Sequence, residues 1–111
     1  MKYAYICAPY RASCQKELER NIKRVQQFAK EIWDKGIIPI YTHGSYMWLP
    51  ETIENRDKIL NLCKRLIDIC DVVYVLRKDG GKSKALTQIA TVGMQIEILY
   101  ARKKRKKIIF V

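Results

Sequence analysis

Four short apolar runs limit what this chain can fold into: Tyr3-Ala4-Tyr5-Ile6-Cys7, Ile37-Ile38-Pro39-Ile40-Tyr41, Val72-Val73-Tyr74-Val75-Leu76 and Ile108-Ile109-Phe110-Val111. Each is continuous and rich in β-branched or aromatic side chains, without the polar alternation of a half-exposed strand. Such runs are strands buried on both faces, the pattern of a parallel sheet covered by helices. The segments between them have a helical period. Leu18, Ile22, Val25, Ala29 and Ile32 recur at steps of four and three residues, while Glu19, Arg20, Lys23, Lys30 and Asp34 fall elsewhere on the surface. Ser13 reads as the N-cap and Gly36 as the C′ residue of this helix, over about 14–35. A second helix is expected from about Glu54 to Ile69, with Ile59, Cys63, Leu66 and Cys70 on one stripe. A third is expected from about Gly93 to Lys103, burying Met94, Ile98 and Ala101.

The order β-α-β-α-β-α-β has no linker and no repeat, and 111 residues suit one domain. The expectation is a single α/β domain over 1–111, a three-layer sandwich with three main helices. No stretch approaches the roughly 20 apolar residues that span a bilayer, and the opening MKYAYICAPYR lacks the build of a secretory leader. A membrane partner is therefore not expected, and the expected location is the cytoplasm.

Charge is the outlier. Twenty-two Lys and Arg against eleven Asp and Glu leave +11, which favours an anionic partner: nucleic acid, a phosphorylated metabolite or acidic neighbours. Lysine-rich composition also occurs in thermophile proteins for reasons unrelated to a ligand. Six adjacent cations, Arg102-Lys103-Lys104-Arg105-Lys106-Lys107, would release counterions from a phosphate backbone. The run also closes a helix, where cations complement the dipole, and no aromatic interleaving accompanies it. Nucleic acid is thus the weaker reading. Cys7, Cys14, Cys63 and Cys70 form no CxxC pair and His43 is the single histidine, so no metal site is expected. In a cytosolic protein these thiols read as small hydrophobes, and a disulfide would need a hyperthermophile host.

In open α/β sheets ligands sit at the carboxyl ends of the strands. That selects Ala8-Pro9-Tyr10-Arg11, Thr42-His43-Gly44-Ser45, the long stretch from Arg77 to Val92 containing Asp79, and the start of the third helix. The long stretch is either a functional lid or a disordered loop. Within Thr91-Val92-Gly93-Met94-Gln95-Ile96-Glu97, a hydroxyl, a glycine and a carboxylate open a helix. The free N–H groups there favour an anion, either a bound phosphate or Glu97 itself, which would be held ionised. Acidic residues also favour first turns for that reason alone. Trp48, Tyr46 and Met47 either stack a base or fill a minor core, and Trp33 reads as packing. Asn21 reads as bonding backbone.

Tyr5-Ile6-Cys7-Ala8-Pro9-Tyr10-Arg11, Asn21, Gly36-Ile37-Ile38-Pro39-Ile40, Cys70-Asp71-Val72-Val73 and Thr91-x-Gly93-Met94-x-x-Glu97-x-x-x-Ala101 stand in an order that resembles the nucleoside 2-deoxyribosyltransferase-like superfamily. The similarity covers essentially the whole chain and is nearest to small phage and prokaryotic branches. It implies a flavodoxin-like sheet of order 2-1-3-4 and cleavage of the N-glycosidic bond of a nucleoside or nucleotide. In the family a glutamate at the position of Glu97 attacks the anomeric carbon, and water or a second base resolves the glycosyl-enzyme. Tyr5 matches the tyrosine that orients that carboxylate, and Arg11 an arginine near the substrate. Members with Ser or Thr at the position of Thr91 bind 5′-monophosphates, so a nucleoside monophosphate is preferred over a free nucleoside. Around the sugar-phosphate the resemblance puts Ala8, Pro9, Tyr10, Arg11, Thr91, Gly93 and Met94. A family histidine in some branches matches His43.

No metal or organic cofactor is needed for such chemistry, and homo-oligomers are expected by analogy. One departure stands out. The better-studied members place an aspartate eight residues before the one that opens strand three, where it protonates the departing base. Here that count gives Cys63, no acid at neutral pH. Asp57 or Asp79 would then have to substitute, or the protein binds a nucleotide without cleaving it. Asp71 reads as structural.

Overall fold

The computed structural model describes residues 2–10, 12–78 and 85–111. Strands β1 (Lys2–Cys7), β2 (Ile37–Ile40), β3 (Val72–Val75) and β4 (Lys107–Phe110) form one parallel sheet in the order β2-β1-β3-β4. The expected order 2-1-3-4 is thus observed, and the architecture is compatible with a flavodoxin-like sandwich. Pro39, which has no N–H, lies in the edge strand β2, where a missing donor is tolerated.

Helix α1 (Gln15–Asp34) covers one face of the sheet, while α2 (Ile53–Ile69) and α4 (Val92–Lys103) pack on the other. The alternation of β1 divides the core accordingly. Ala4 and Ile6 meet Val25, Ala29 and Ile32 of α1. Tyr5 and Cys7 point to the opposite side, among Cys63 and Ile67 of α2 and Met94 and Ile98 of α4. Ile67 and Ile98 are fully buried, each worth about 1.5–3 kcal/mol, and they clamp the first turns of α4 against β1.

The three main helices expected are observed, and between β3 and α4 the described residues hold one short helix more, α3 (Leu86–Ile89). Four residues are too few to display a 3.6-residue period, which is why the segment reads as plain connection. Other local expectations change too. Cys14, not Ser13, takes the N-cap of α1, and the Ser13 N–H and hydroxyl both donate to Glu17, at 3.4 and 2.8 Å. Gly36 follows α1 at φ 81°, the left-handed turn that glycine adopts at least cost. Trp33 is 61% exposed and Trp48 75% exposed, so neither fills a core; the Trp48 indole N–H instead donates to the Ser45 carbonyl. Asp71 is structural, as expected, through a strand contact and not a helix cap. It ties β3 to β1, accepting from the Tyr3 N–H at 2.9 Å while its own N–H donates to the Tyr3 carbonyl at 2.8 Å. No helix among the described residues is long and apolar enough to cross a membrane.

Candidate active site

Glu97 lies one and a half turns into α4, and Tyr5 and Cys7 leave β1 on the face that α4 covers. This brings an acid from the end of the chain onto the first strand. The Tyr5 hydroxyl donates to Glu97 Oε1, and both side chains are buried. The Cys7 thiol lies 3.7 Å from Glu97 Oε2 and 3.8 Å from the Met94 carbonyl. Cys63, from α2, joins the same hydrogen-bonded group and stands 3.7 Å from Thr42 Oγ1. One carboxyl group is therefore ringed by a phenol and two thiols.

The electrostatics of this group follow from burial. Desolvation pushes the Glu97 carboxyl up to about 7, although hydrogen bonds from Tyr5, Cys63 and Cys7 favour its ionised form. The expectation of a carboxylate held ionised by the helix dipole is thereby corrected: the dipole fades within the first turn, and Glu97 lies beyond it. Burial, then the neighbouring Glu97 charge, raise the Tyr5 phenol and the Cys7 thiol well above their ordinary values. Cys63 is pushed up to about 11 by the same two causes. All three neighbours are neutral donors at neutral pH, and Glu97 is the group that exchanges a proton there. Such a carboxyl can attack as a carboxylate or carry a proton.

The position that the resemblance marks for a proton donor is therefore inside the site, occupied by a thiol. Asp57 is exposed on α2 and takes no part in the group. Asp79 and Arg11 lie outside the described residues.

Thr91 caps α4, its hydroxyl oxygen accepting from the Met94 N–H at 3.3 Å, and the Thr91 N–H donates to the Met94 sulfur at 3.4 Å. A methyl group added to Gly93 would meet nothing within 4 Å, so no packing inside the protein demands a glycine. Open space therefore adjoins the first turn of α4. Ala8, Pro9 and Met94 are buried, with Ala8 and Met94 in the two core clusters. Asn21, as expected, donates to backbone, the Tyr10 carbonyl at 3.2 Å.

His43 is 9% exposed and bonds through Nε2 to the Ala8 carbonyl at 3.0 Å. A carbonyl only accepts, so Nε2 carries the proton and Nδ1 the lone pair. Burial lowers the imidazole pKa, which keeps the ring neutral. Among the described residues no hydrogen bond of good geometry reaches Nδ1, although the Pro9 backbone also lies close enough to the ring to favour its protonated form. A buried acceptor left without a donor costs about 1–3 kcal/mol, which a ligand hydroxyl or amino group would recover. Tyr10 packs edge-on against this ring, with centroids 5.5 Å apart.

Cys7 is the site residue that sequence reasoning missed. Its signal is the alternation that places it on the same strand face as Tyr5. No cluster of three or more His, Cys, Asp or Glu suited to a metal ion occurs among the described residues.

No curated protein matches the chain. The profile of a domain of unknown function, DUF7768, matches residues 2–111, nearly the full sequence. The chain belongs to the DUF7768 family.

Proposed function

We propose that this protein cleaves the N-glycosidic bond of a nucleoside 5′-monophosphate, with Glu97 as nucleophile. The observation that carries the reading is the buried Tyr5–Glu97 hydrogen bond, which agrees with the pairing implied by the resemblance. The ionised Glu97 attacks the anomeric carbon while the bond to the base breaks, and the bonding electron pair leaves with the base, which takes up a proton. Water then hydrolyses the sugar ester, or a second base displaces the carboxylate. Tyr5 fixes the carboxylate rotamer. The open first turn of α4, where the Thr91–Met94 cap leaves the N–H groups of Val92 and Gly93 over, suits the 5′-phosphate. The bare Nδ1 of His43 suits a hydroxyl or amino donor of the ligand.

A panel of nucleosides and 5′-monophosphates, followed by chromatography of released base, tests the reading. Because only ionised Glu97 attacks, base release should climb about tenfold per pH unit below about 7 and level off above it. Mass spectrometry of quenched enzyme should find a sugar phosphate on Glu97. A flat pH profile, or no release from any compound, defeats the proposal.

A second reading, a nucleotide-binding module that does not cleave, is favoured by Cys63 standing where a proton donor is needed. Nucleotide-induced thermal stabilisation without base release identifies it. Gly93→Ala bears on both readings. Replacing this helical glycine should stabilise the unliganded fold by about 0.5–1 kcal/mol. The new methyl group should also weaken nucleotide binding, seen as a higher Tm but a smaller ligand-induced rise. A larger rise would place the phosphate elsewhere.

A further inference from the structure

Helix α1 carries a second feature, on the face of the sheet opposite Glu97. Lys16, Arg20 and Arg24 recur every fourth residue, which spaces them about 6 Å apart along roughly 12 Å of helix. They line a cleft of about 470 Å³ with Asn21 and Cys14, and Lys78, just beyond β3, forms the far wall. The Lys78 backbone is fixed by its N–H bond to the Ile89 carbonyl at 2.8 Å. The one acid lining the cleft, Glu17, already accepts from the Ser13 N–H and hydroxyl. No ion pair joins the four cations to an acid among the described residues. Arg24 is half-buried, and burial lowers its guanidinium pKa with no carboxylate to offset it.

Like charges four residues apart destabilise a helix, and an anion in the cleft would remove that penalty. The row is too long for one phosphate. Arg24 also lines a neighbouring hollow of about 290 Å³ with Phe28, Leu76, Val111 and the acid Glu31, and Phe28, half-buried and edge-to-face with Tyr74, stands in its wall. Cations in a row followed by an aromatic platform make a groove for an unpaired strand. The run from Arg102 to Lys107 is engaged differently: Lys106 donates to the Asp68 carbonyl at 2.9 Å, and Lys104 lies over the Tyr100 ring.

We propose that the α1 groove binds the phosphodiester backbone of a single-stranded nucleic acid, with Arg20 and Arg24 on phosphates and a base against Phe28. The inference is independent of the glycosidase reading, because these residues do not touch the Glu97 group.

Cys14 provides a local probe, since it is exposed and the other three cysteines are buried. Anisotropy of a fluorescein-labelled 12-residue oligothymidylate, titrated between 50 and 300 mM NaCl, measures binding. Modification by the uncharged thiol reagent N-ethylmaleimide reports cover over Cys14. The oligonucleotide should bind and slow modification several-fold. Arg20→Gln/Arg24→Gln should weaken binding roughly tenfold near 0.15 M salt, lower the salt slope by about 1.4 and abolish protection. Circular dichroism checks that the double variant is folded, and Arg102→Gln/Lys103→Gln should bind as the parent does. Absence of binding at 50 mM salt overturns the proposal. So does binding that leaves Cys14 unprotected, or binding lost only in the 102/103 variant. Equal protection by inorganic tripolyphosphate would assign the cleft to short polyphosphates and overturn it as well.

Discussion

Glu97→Gln should release no detectable base from a nucleoside monophosphate, a loss of about 10³-fold or more, and yet unfold at a higher temperature than the parent at pH 8. The first effect follows from removing the attacking oxygen while keeping the shape of the side chain. The second follows from burial. In the folded protein the Glu97 carboxyl titrates at about 7 against an ordinary 4.5, so between those values the folded state holds a proton that the unfolded chain has lost. Stability from this group is complete below about 4.5 and declines as pH rises to about 7. Beyond that the full cost, about 3 kcal/mol, is present. Glutamine is neutral throughout and still accepts from the Tyr5 hydroxyl. The variant and parent should therefore melt together near pH 4.5 and separate at pH 8 by roughly 10 °C. Calorimetry at the two pH values measures this gap. Equal melting at both would mean that the carboxylate is solvated, and the nucleophile assignment would fall with it.

The central strands were legible because two-sided burial leaves only apolar side chains in a run; edge strand β2 reads like them although its residues are only half-buried, with α1 packed against it. The helix opening before Glu97 was legible in its hydroxyl and glycine, whereas the role given to Glu97 came from the resemblance and not from that spacing. The protonation of Glu97 was not legible: that depends on Tyr5, Cys7 and Cys63 closing over it from two other elements, a long-range consequence of β1 alternation and α2 packing. Thiols hide in sequence as small hydrophobes, so Cys7 looked like core filler. The α1 cations hid in the same way, since charge on an amphipathic helix normally faces only water. What gives them a different meaning is Lys78, brought opposite them from more than fifty residues away.

Cys63→Asp should raise base release by about 10²–10⁴-fold near pH 6, the contribution of a positioned general acid. The position already lies in the Glu97 group, but its thiol, pushed up to about 11, is a poor donor to a departing base. Aspartate there would create two buried carboxyls within interaction range, and like charges so close do not both ionise readily. The pair would share one proton over a broad window: one member ionised to attack, the other protonated to assist departure. The pH profile should turn from a plateau into a bell, with apparent pKa values that belong to the pair. The same repulsion makes a second prediction, that Cys63→Asp melts well below the parent at pH 8, where both groups are driven to ionise, and close to it at pH 5. Cys63→Asn is the control, matching the shape of aspartate without its proton. If the Asp and Asn variants release base at the same rate, position 63 does not face the leaving group, and the proton reaches the base by another route.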